Sequence, residues 1–390
     1  MEVVVTGYGS ISSAGTGAER VYSRYRSGPT AVISTHIGDE KVLAARLEAD
    51  AELWLETYAL GLERQERLFD RASLMAAYAC EMAAADWEPW RDYAVVIGSA
   101  RGATSRWEQY FSDFSPGRRV SPFASPVTTA GSLAALAAAR LSERLEPATA
   151  AFVVSQTCVS AAAAVATATA LIRAGVVERA LAGGAEAPLT PFTWAAMRST
   201  GAYANYRRAG AGFPCRPLAS QGEDTMVMGE GAAVFSLENA AGCAGPVWAK
   251  IVGVGLGTEK PPHLAATSAD GAALQAAMRA AVNEAGLWPD AVVMHAPGTL
   301  AGDAAELAAI DAVWRNRPRP YLYAPKWLTG HALGAAPALA LEAALLMLRF
   351  GPLPMPYPVP DNPVRNVRTV MVNAAGFGGG AASLILHRPD

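Results

Sequence analysis

The chain has 390 residues, 52% of them hydrophobic and 17% charged, with a net charge of −3. So apolar a chain must bury much of itself in a large core or a subunit interface, and without a run of basic residues among aromatics nucleic acid is not an expected partner. The four cysteines (Cys80, Cys158, Cys215, Cys243) lack paired metal-ligand spacing, so reduced thiols in the cytoplasm and no metal are expected.

The start has no basic n-region and enters a strand at 3–6 at once, which reads against a signal peptide. Gly7-Tyr8-Gly9 suits a sharp strand exit, and the G-x-G-x-x-G pattern of a dinucleotide site is not completed. Residues 19–27 read as a polar helix, 38–66 are mixed and give no clear element, 71–85 fit an amphipathic helix and 93–98 a buried strand. Two prolines make 121–126 a loop, and 130–140 is a small-residue helix.

Residues 151–174 are the segment around which the chain is organised. Phe152, Val153 and Val154 read as a buried strand, and the uncharged segment that runs on to Arg173 reads as a helix apolar on every side, hence buried. Cys158 sits at the joint. A thiol held on a tight strand-to-helix turn, in the field of backbone N–H groups at a helix start, favours the nucleophilic thiolate. The plainer alternative is a cysteine serving as a small buried hydrophobe.

A strand at 179–184 leads into Gly-Gly-Ala-Glu-Ala-Pro, 200–222 is rich in Gly, Arg and Pro and reads as a long surface excursion, and 232–237 is a strand. Residues 239–246 look like a connector, after which the pattern begins again. Strands at 249–254, 291–295 and 321–324 alternate with helices at 272–285, 304–314 and 339–348, and paired strands at 369–373 and 382–387 flank the glycines around Phe377. Alternation in both parts argues for an α/β architecture with parallel sheets and a duplicated unit, divided as 1–243 and 244–390. The two longest apolar stretches are interrupted, one by Ser155, Gln156 and Thr157 and the other by Pro337 and Glu342, so neither reads as a membrane span.

Lysine occurs only at Lys41, Lys250, Lys260 and Lys326. Lys326 stands in an apolar stretch five residues before His331; the pair reads either as a snorkelling lysine with a core histidine or as chemistry. The glycines at 376–380 lack the Lys-Ser or Lys-Thr of a P-loop, and otherwise suit an oxyanion hole built from backbone N–H groups.

Taken in order, Val-Val-Thr-Gly-Tyr-Gly at the start, Ser-Gln-Thr-Cys-Val-Ser-Ala around Cys158, Leu-Ala-Gly-Gly-Ala-Glu-Ala-Pro at 181–188, Cys-Arg-Pro at 215–217 and Met-Gly-Glu-Gly-Ala at 228–232 form an ordered set. It continues with Gly298-Thr299, Asp303 and Glu306, then Lys-Trp-Leu-Thr-Gly-His at 326–331 and Asn-Ala-Ala-Gly-Phe-Gly-Gly-Gly at 373–380. The set resembles the β-ketoacyl-acyl-carrier-protein synthases, condensing enzymes of the thiolase superfamily, over nearly the whole chain. The resemblance implies a five-layered αβαβα fold from two related halves, the first with the nucleophilic cysteine and the second with Lys326, His331 and the glycine-rich loop. It implies that Cys158 takes an acyl chain from the phosphopantetheine of acyl carrier protein, with no cofactor of the enzyme's own. The N–H groups of Cys158 and Phe377 would form the oxyanion hole, Phe377 would gate the acyl pocket, and Glu306 would hold Lys326. A homodimer, or a heterodimer with a second ketosynthase-like subunit, is implied as well. Arg64, Arg67, Arg71, Arg198, Arg207 and Arg208 are candidates for carrier-protein docking, or simply a solvated charged face.

The chain also departs from the family. Where members read Asn-Ala-His-Gly-Thr, it reads His295-Ala296-Pro297-Gly298-Thr299, so the first catalytic histidine has become Pro297. Loss of one donor at a developing oxyanion costs about 10² to 10³ in rate. His295, were the strand to continue, would point to the same face but about 6.6 Å back. The second pantetheine-binding threonine after Thr299 is absent, the Thr-Asn after the Phe377 glycines is Gly380-Ala381, and residues 218–224 replace a charged stretch. Three outcomes are open: an acyltransferase or atypical synthase loaded on Cys158 in fatty-acid or polyketide-type biosynthesis with decarboxylative condensation impaired; a chain-length-factor-like, non-catalytic subunit; or an ordinary condensing enzyme in which His295 or water covers the loss.

Overall fold

A computed structural model of the chain describes residues 1–390 apart from 89, 91, 209–211, 220, 221, 244, 264, 364, 365 and 390 and the side chain of Arg208. It opens with β1 (Val3–Ser12), α1 (Ala18–Ser27), β2 (Ile33–Ile37), β3 (Glu40–Ala45), α2 (Ala49–Gly61) and α3 (Arg71–Ala83). Next come β4 (Tyr93–Gly98), α4 (Thr104–Asp113), α5 (Ala124–Thr128), α6 (Ser132–Leu141), β5 (Ala150–Val154), α7 (Ser160–Arg173) and β6 (Arg179–Glu186). α8 (Pro191–Arg198), β7 (Met228–Gly229) and β8 (Gly231–Asn239) complete the first unit. The second holds β9 (Ala249–Thr258), α9 (Ala272–Ala285), β10 (Ala291–Val293), α10 (Leu300–Val313), β11 (Tyr321–Tyr323), α11 (Lys326–Thr329), α12 (Ala336–Phe350), β12 (Thr369–Gly376) and β13 (Gly380–His387).

Ten strands join in the order β11-β10-β12-β13-β9-β1-β8-β6-β4-β5. Outward from the β1–β9 pair the two sides repeat one another, β1-β8-β6-β4-β5 against β9-β13-β12-β10-β11. Within this sheet, among the described residues, only β4–β5, β4–β6, β10–β11 and β10–β12 are parallel. The expected parallel sheets are therefore mixed: β13 returns straight from β12 through a tight glycine turn, and such a return makes antiparallel neighbours. Helices α7 and α12 lie between the two sides, touching each other and strands of both, while α3 and α6 cover one outer face and α9, with α10 beside it, the other. The layers run αβαβα, the thiolase-like arrangement the motifs imply.

The two central helices are buried because they offer water no polar face. By length and composition Leu333–Phe350 would cross a bilayer, yet 89% of it is buried inside the fold. Glu342 in α12 is fully buried, accepts hydrogen bonds from Ser10 Oγ and Tyr25 Oη, and has its carboxyl pushed up to about 7 by burial.

Several expectations need correction. Gly7 and Gly9 do not end a strand; β1 runs through them with a bulge, and a Cβ on Gly9 would lie 2.3 Å from the Ala79 carbonyl of α3. Residues 124–128 form a short helix despite Pro126, and α10 starts at Leu300 because Thr299 caps it, its hydroxyl accepting from Gly302 N at 3.2 Å. β5, expected to be buried, is an edge strand and partly exposed along its length. The 200–222 excursion is only partly on the surface, since Cys215 and Ala204 are buried; 209–211 and Ser220-Gln221 lie outside the described residues. The connector holds a short turn at Ala240–Gly242, and Ala244, at the expected boundary, also lies outside them.

Candidate active site

The chain reaches Cys158 through a strained turn. Thr157 has φ 45°, a left-handed conformation that costs a non-glycine residue on the order of 1 kcal/mol or more. Its hydroxyl donates to the Phe377 carbonyl at 3.1 Å, which fastens the cysteine turn to the glycine loop. At Gly376 a Cβ would lie 2.2 Å from Thr157 Oγ1 and 3.2 Å from Cys158 N, so a side chain there would push on the cysteine turn.

His331 is placed by the small sheet β2-β3-β7. Its N–H donates to Val227 O at 2.6 Å and its carbonyl accepts from Gly229 N at 3.1 Å, so both flanks of the residue lock onto β7. Lys326, at the start of α11, is buried at 2% exposure and its ammonium donates to the His295 carbonyl. Glu306, from α10, accepts from His295 N at 3.0 Å, Ala296 N at 2.7 Å and Asn373 Nδ2 at 3.0 Å.

Here two expectations fail. Among the described residues Glu306 makes no hydrogen bond or ion pair with Lys326; it holds the backbone that in turn holds the lysine, and acts on the ammonium only through its field. His295 does not trail behind the site, because β10 ends at Val293 and the strand rule no longer applies. Its ring meets His331 edge-on, with centroids 5.3 Å apart and planes at 81°.

A cavity of about 500 Å³ brings together Cys158, His295, Pro297, Thr299, His331 and Phe377, with Glu306 also on its wall. Thr299 therefore lines the cavity and caps α10 at once. Asp303, behind it, accepts from Gly298 N and Leu218 N and is raised to about 6 by burial. Phe377 is 37% exposed at the mouth.

Burial works against the expected thiolate. Burial pushes the Cys158 thiol up to about 12; Lys326 pulls it down, Glu186 pushes it up, and the sulfur accepts a hydrogen bond from its own N–H. Burial likewise draws Lys326 down to about 8 against the opposing pull of Glu306. Both imidazoles are held well below their ordinary range by burial and by the lysine charge, so both are neutral.

Glu186 escapes a reading of the sequence. It is fully buried and gathers Ser99 Oγ and the N–H groups of Ala100, Arg101 and Gly334, tying the loop after β4 to the turn after His331. Its signal is that it is the one acid in a strand made largely of Ala, Leu and Gly. Of the docking arginines, Arg71 is paired with Glu52 and Glu230, Arg198 with Glu40, and Arg67 with the carbonyls of Leu60 and Leu62. Arg64 and Arg207 are exposed, and the Arg208 side chain lies outside the described residues.

The fold is thiolase-like, and its cavity gathers Cys158, His331 and Phe377. Residues 1–241 match the model of the beta-ketoacyl synthase N-terminal domain and 248–358 that of the C-terminal domain, so the chain belongs to the β-ketoacyl synthase family. It is 29% identical to 3-oxoacyl-[acyl-carrier-protein] synthase 2 of Rhizobium meliloti, over 99% of this chain and 98% of that one. It is 30% identical to nodulation protein E of Rhizobium leguminosarum bv. trifolii, over 90% and 87%. Among solved structures, the ishigamide ketosynthase/chain length factor superposes with a TM-score of 0.84 at 26% identity, covering 100% of this chain and 99% of that one. A beta-ketoacyl synthase from Burkholderia phymatum superposes at 0.82 and 25% identity, covering 100% of both.

Proposed function

We propose that this chain is an acyltransferase of the ketosynthase type: Cys158 takes an acyl chain from acyl carrier protein as a thioester, in fatty-acid or polyketide-type biosynthesis. The observation that carries this reading is the convergence of Cys158, His331 and Phe377 on one cavity with Lys326 buried behind it. Attack needs the thiol to lose its proton, and a neutral His331 has a lone pair to receive it while the Lys326 charge favours the anion formed. The oxyanion of the tetrahedral intermediate would fall to the N–H groups of Cys158 and Phe377. Pro297, with no side-chain donor, is where decarboxylative extension departs from the family pattern. The substrate brings its own phosphopantetheine, so the reading calls for no further cofactor.

A second reading is a chain-length-factor-like subunit of a ketosynthase heterodimer, favoured by Pro297 and by the likeness to a ketosynthase/chain length factor structure. Intact-mass measurement after incubation with acyl-loaded carrier protein separates the two. An acyl adduct that disappears in Cys158→Ala supports the first; no adduct, alone or with a partner ketosynthase, supports the second.

A further inference from the structure

Position 297 lines the cavity but carries a proline, so it offers no N–H to charge that develops there. Two residues earlier the geometry is different. His295 is fixed through its main chain on both sides, its N–H on Glu306 and its carbonyl on Lys326, while its ring lies on the cavity wall beside Cys158 and His331. Among the described residues neither His295 ring nitrogen is hydrogen-bonded to the protein, and the buried His331 Nδ1 is without a partner as well. A histidine ring on a cavity wall with neither nitrogen engaged can give a hydrogen bond to, or accept one from, whatever enters, and the His331 Nδ1 beside it is a buried polar atom that lacks such a partner.

We infer that His295 donates an N–H to the thioester oxygen of a malonyl group and so stabilises the enolate formed on decarboxylation, a role moved from position 297 to position 295. The inference rests on the acyl-loading reading above for the partner that the enolate attacks. The C2–C3 bond of the malonyl group breaks, carbon dioxide leaves, and the electron pair stays on C2, delocalised onto the oxygen that His295 contacts. C2 then attacks the acyl carbonyl on Cys158. The carbon–sulfur bond breaks, the sulfur leaves as thiolate and regains a proton from water. His295 gives up no proton in the cycle; a neutral imidazole, with one N–H and one lone pair, is the form required. Burial and the Lys326 charge keep it in that form.

The test uses the full chain, a malonyl-loaded bacterial carrier protein labelled in the free carboxyl group, and an acyl-loaded one. Carbon dioxide release and the Cys158 adduct are measured on the same samples. The wild type is expected to show both. The ratio of release to adduct is expected to fall about 10² to 10³-fold in His295→Ala and in His295→Phe, which keeps a ring without a nitrogen. His295→Gln, with an N–H at the end of a side chain of similar reach, should retain part of the release; a fall as deep as that of the phenylalanine variant overturns the assignment. So does an unchanged ratio in the alanine or phenylalanine variant, or a wild type that forms the adduct and releases nothing. A wild type without adduct overturns the acyl-loading reading instead, and release that His295→Phe still abolishes would leave His295 standing.

Discussion

At Cys158 two effects compete, and burial wins. A helix start and a nearby ammonium both favour the anion, but desolvation of a buried thiol on the cavity wall outweighs them and pushes it up to about 12. The consequence is a pH dependence of alkylation. Iodoacetamide modification of Cys158, followed by peptide mapping, should accelerate about tenfold per pH unit from pH 6 to 8 without levelling off. Above pH 8 the slope should weaken, because Lys326, drawn down to about 8, then loses the charge that was lowering the thiol. Lys326→Met should slow the reaction at pH 7 by about tenfold and remove that break. A plateau near neutrality would mean that the thiolate is already the resting form. Residue types with few alternatives (Cys158, Lys326, His331, Phe377) were legible as letters in order. The protonation state was not, because it depends on how much protein encloses the sulfur. Nor was the neighbourhood of His295, which hinges on a strand stopping at Val293.

Glycine carries a similar ambiguity at the scale of elements. Gly253, Gly255 and Gly257 look like the end of a strand, but β9 runs to Thr258 and α9 lies flat against them. A Cβ at Gly255 would stand 1.9 Å from the Ala277 carbonyl, a backbone atom that cannot rotate away. Gly255→Ala should therefore cost at least about 3 kcal/mol in urea unfolding. Gly61→Ala, where a Cβ meets open space, should stay within about 0.5 kcal/mol of the wild type. Equal effects would refute the close-packing account. Elements built on an inward apolar face, such as β4 and α9, were legible to their ends. α2 was not, because it turns Leu53, Trp54 and Leu60 outward and buries only Ala51 and Leu55. Its apolar residues are on the side that pattern reading assigns to the core.

For the whole molecule, the β5 edge of the large sheet and the surface next to it are left uncovered. β5 presents a free edge, and α6 beside it leads through α5 to α4, where Trp107 and Phe111 stack in the open at 53% and 66% exposure. Residues 111–123 are exposed throughout and include Phe114, Val120 and Phe123. A free edge next to so many uncovered aromatics would invite indiscriminate association in a monomer, and burying both against another subunit removes the hazard. The occupant we expect is a second ketosynthase-like chain. Sedimentation at micromolar concentration should give a dimer, either of this chain alone or after addition of a partner ketosynthase. Trp107→Arg with Phe111→Arg should weaken that dimer at least about 100-fold, since each aromatic lost from an interface centre costs about 2 kcal/mol. Both side chains already face solvent, so the double variant should keep the melting curve of an isolated subunit. If it dimerises as tightly as the wild type, the interface lies elsewhere, and the exposed aromatics need another explanation.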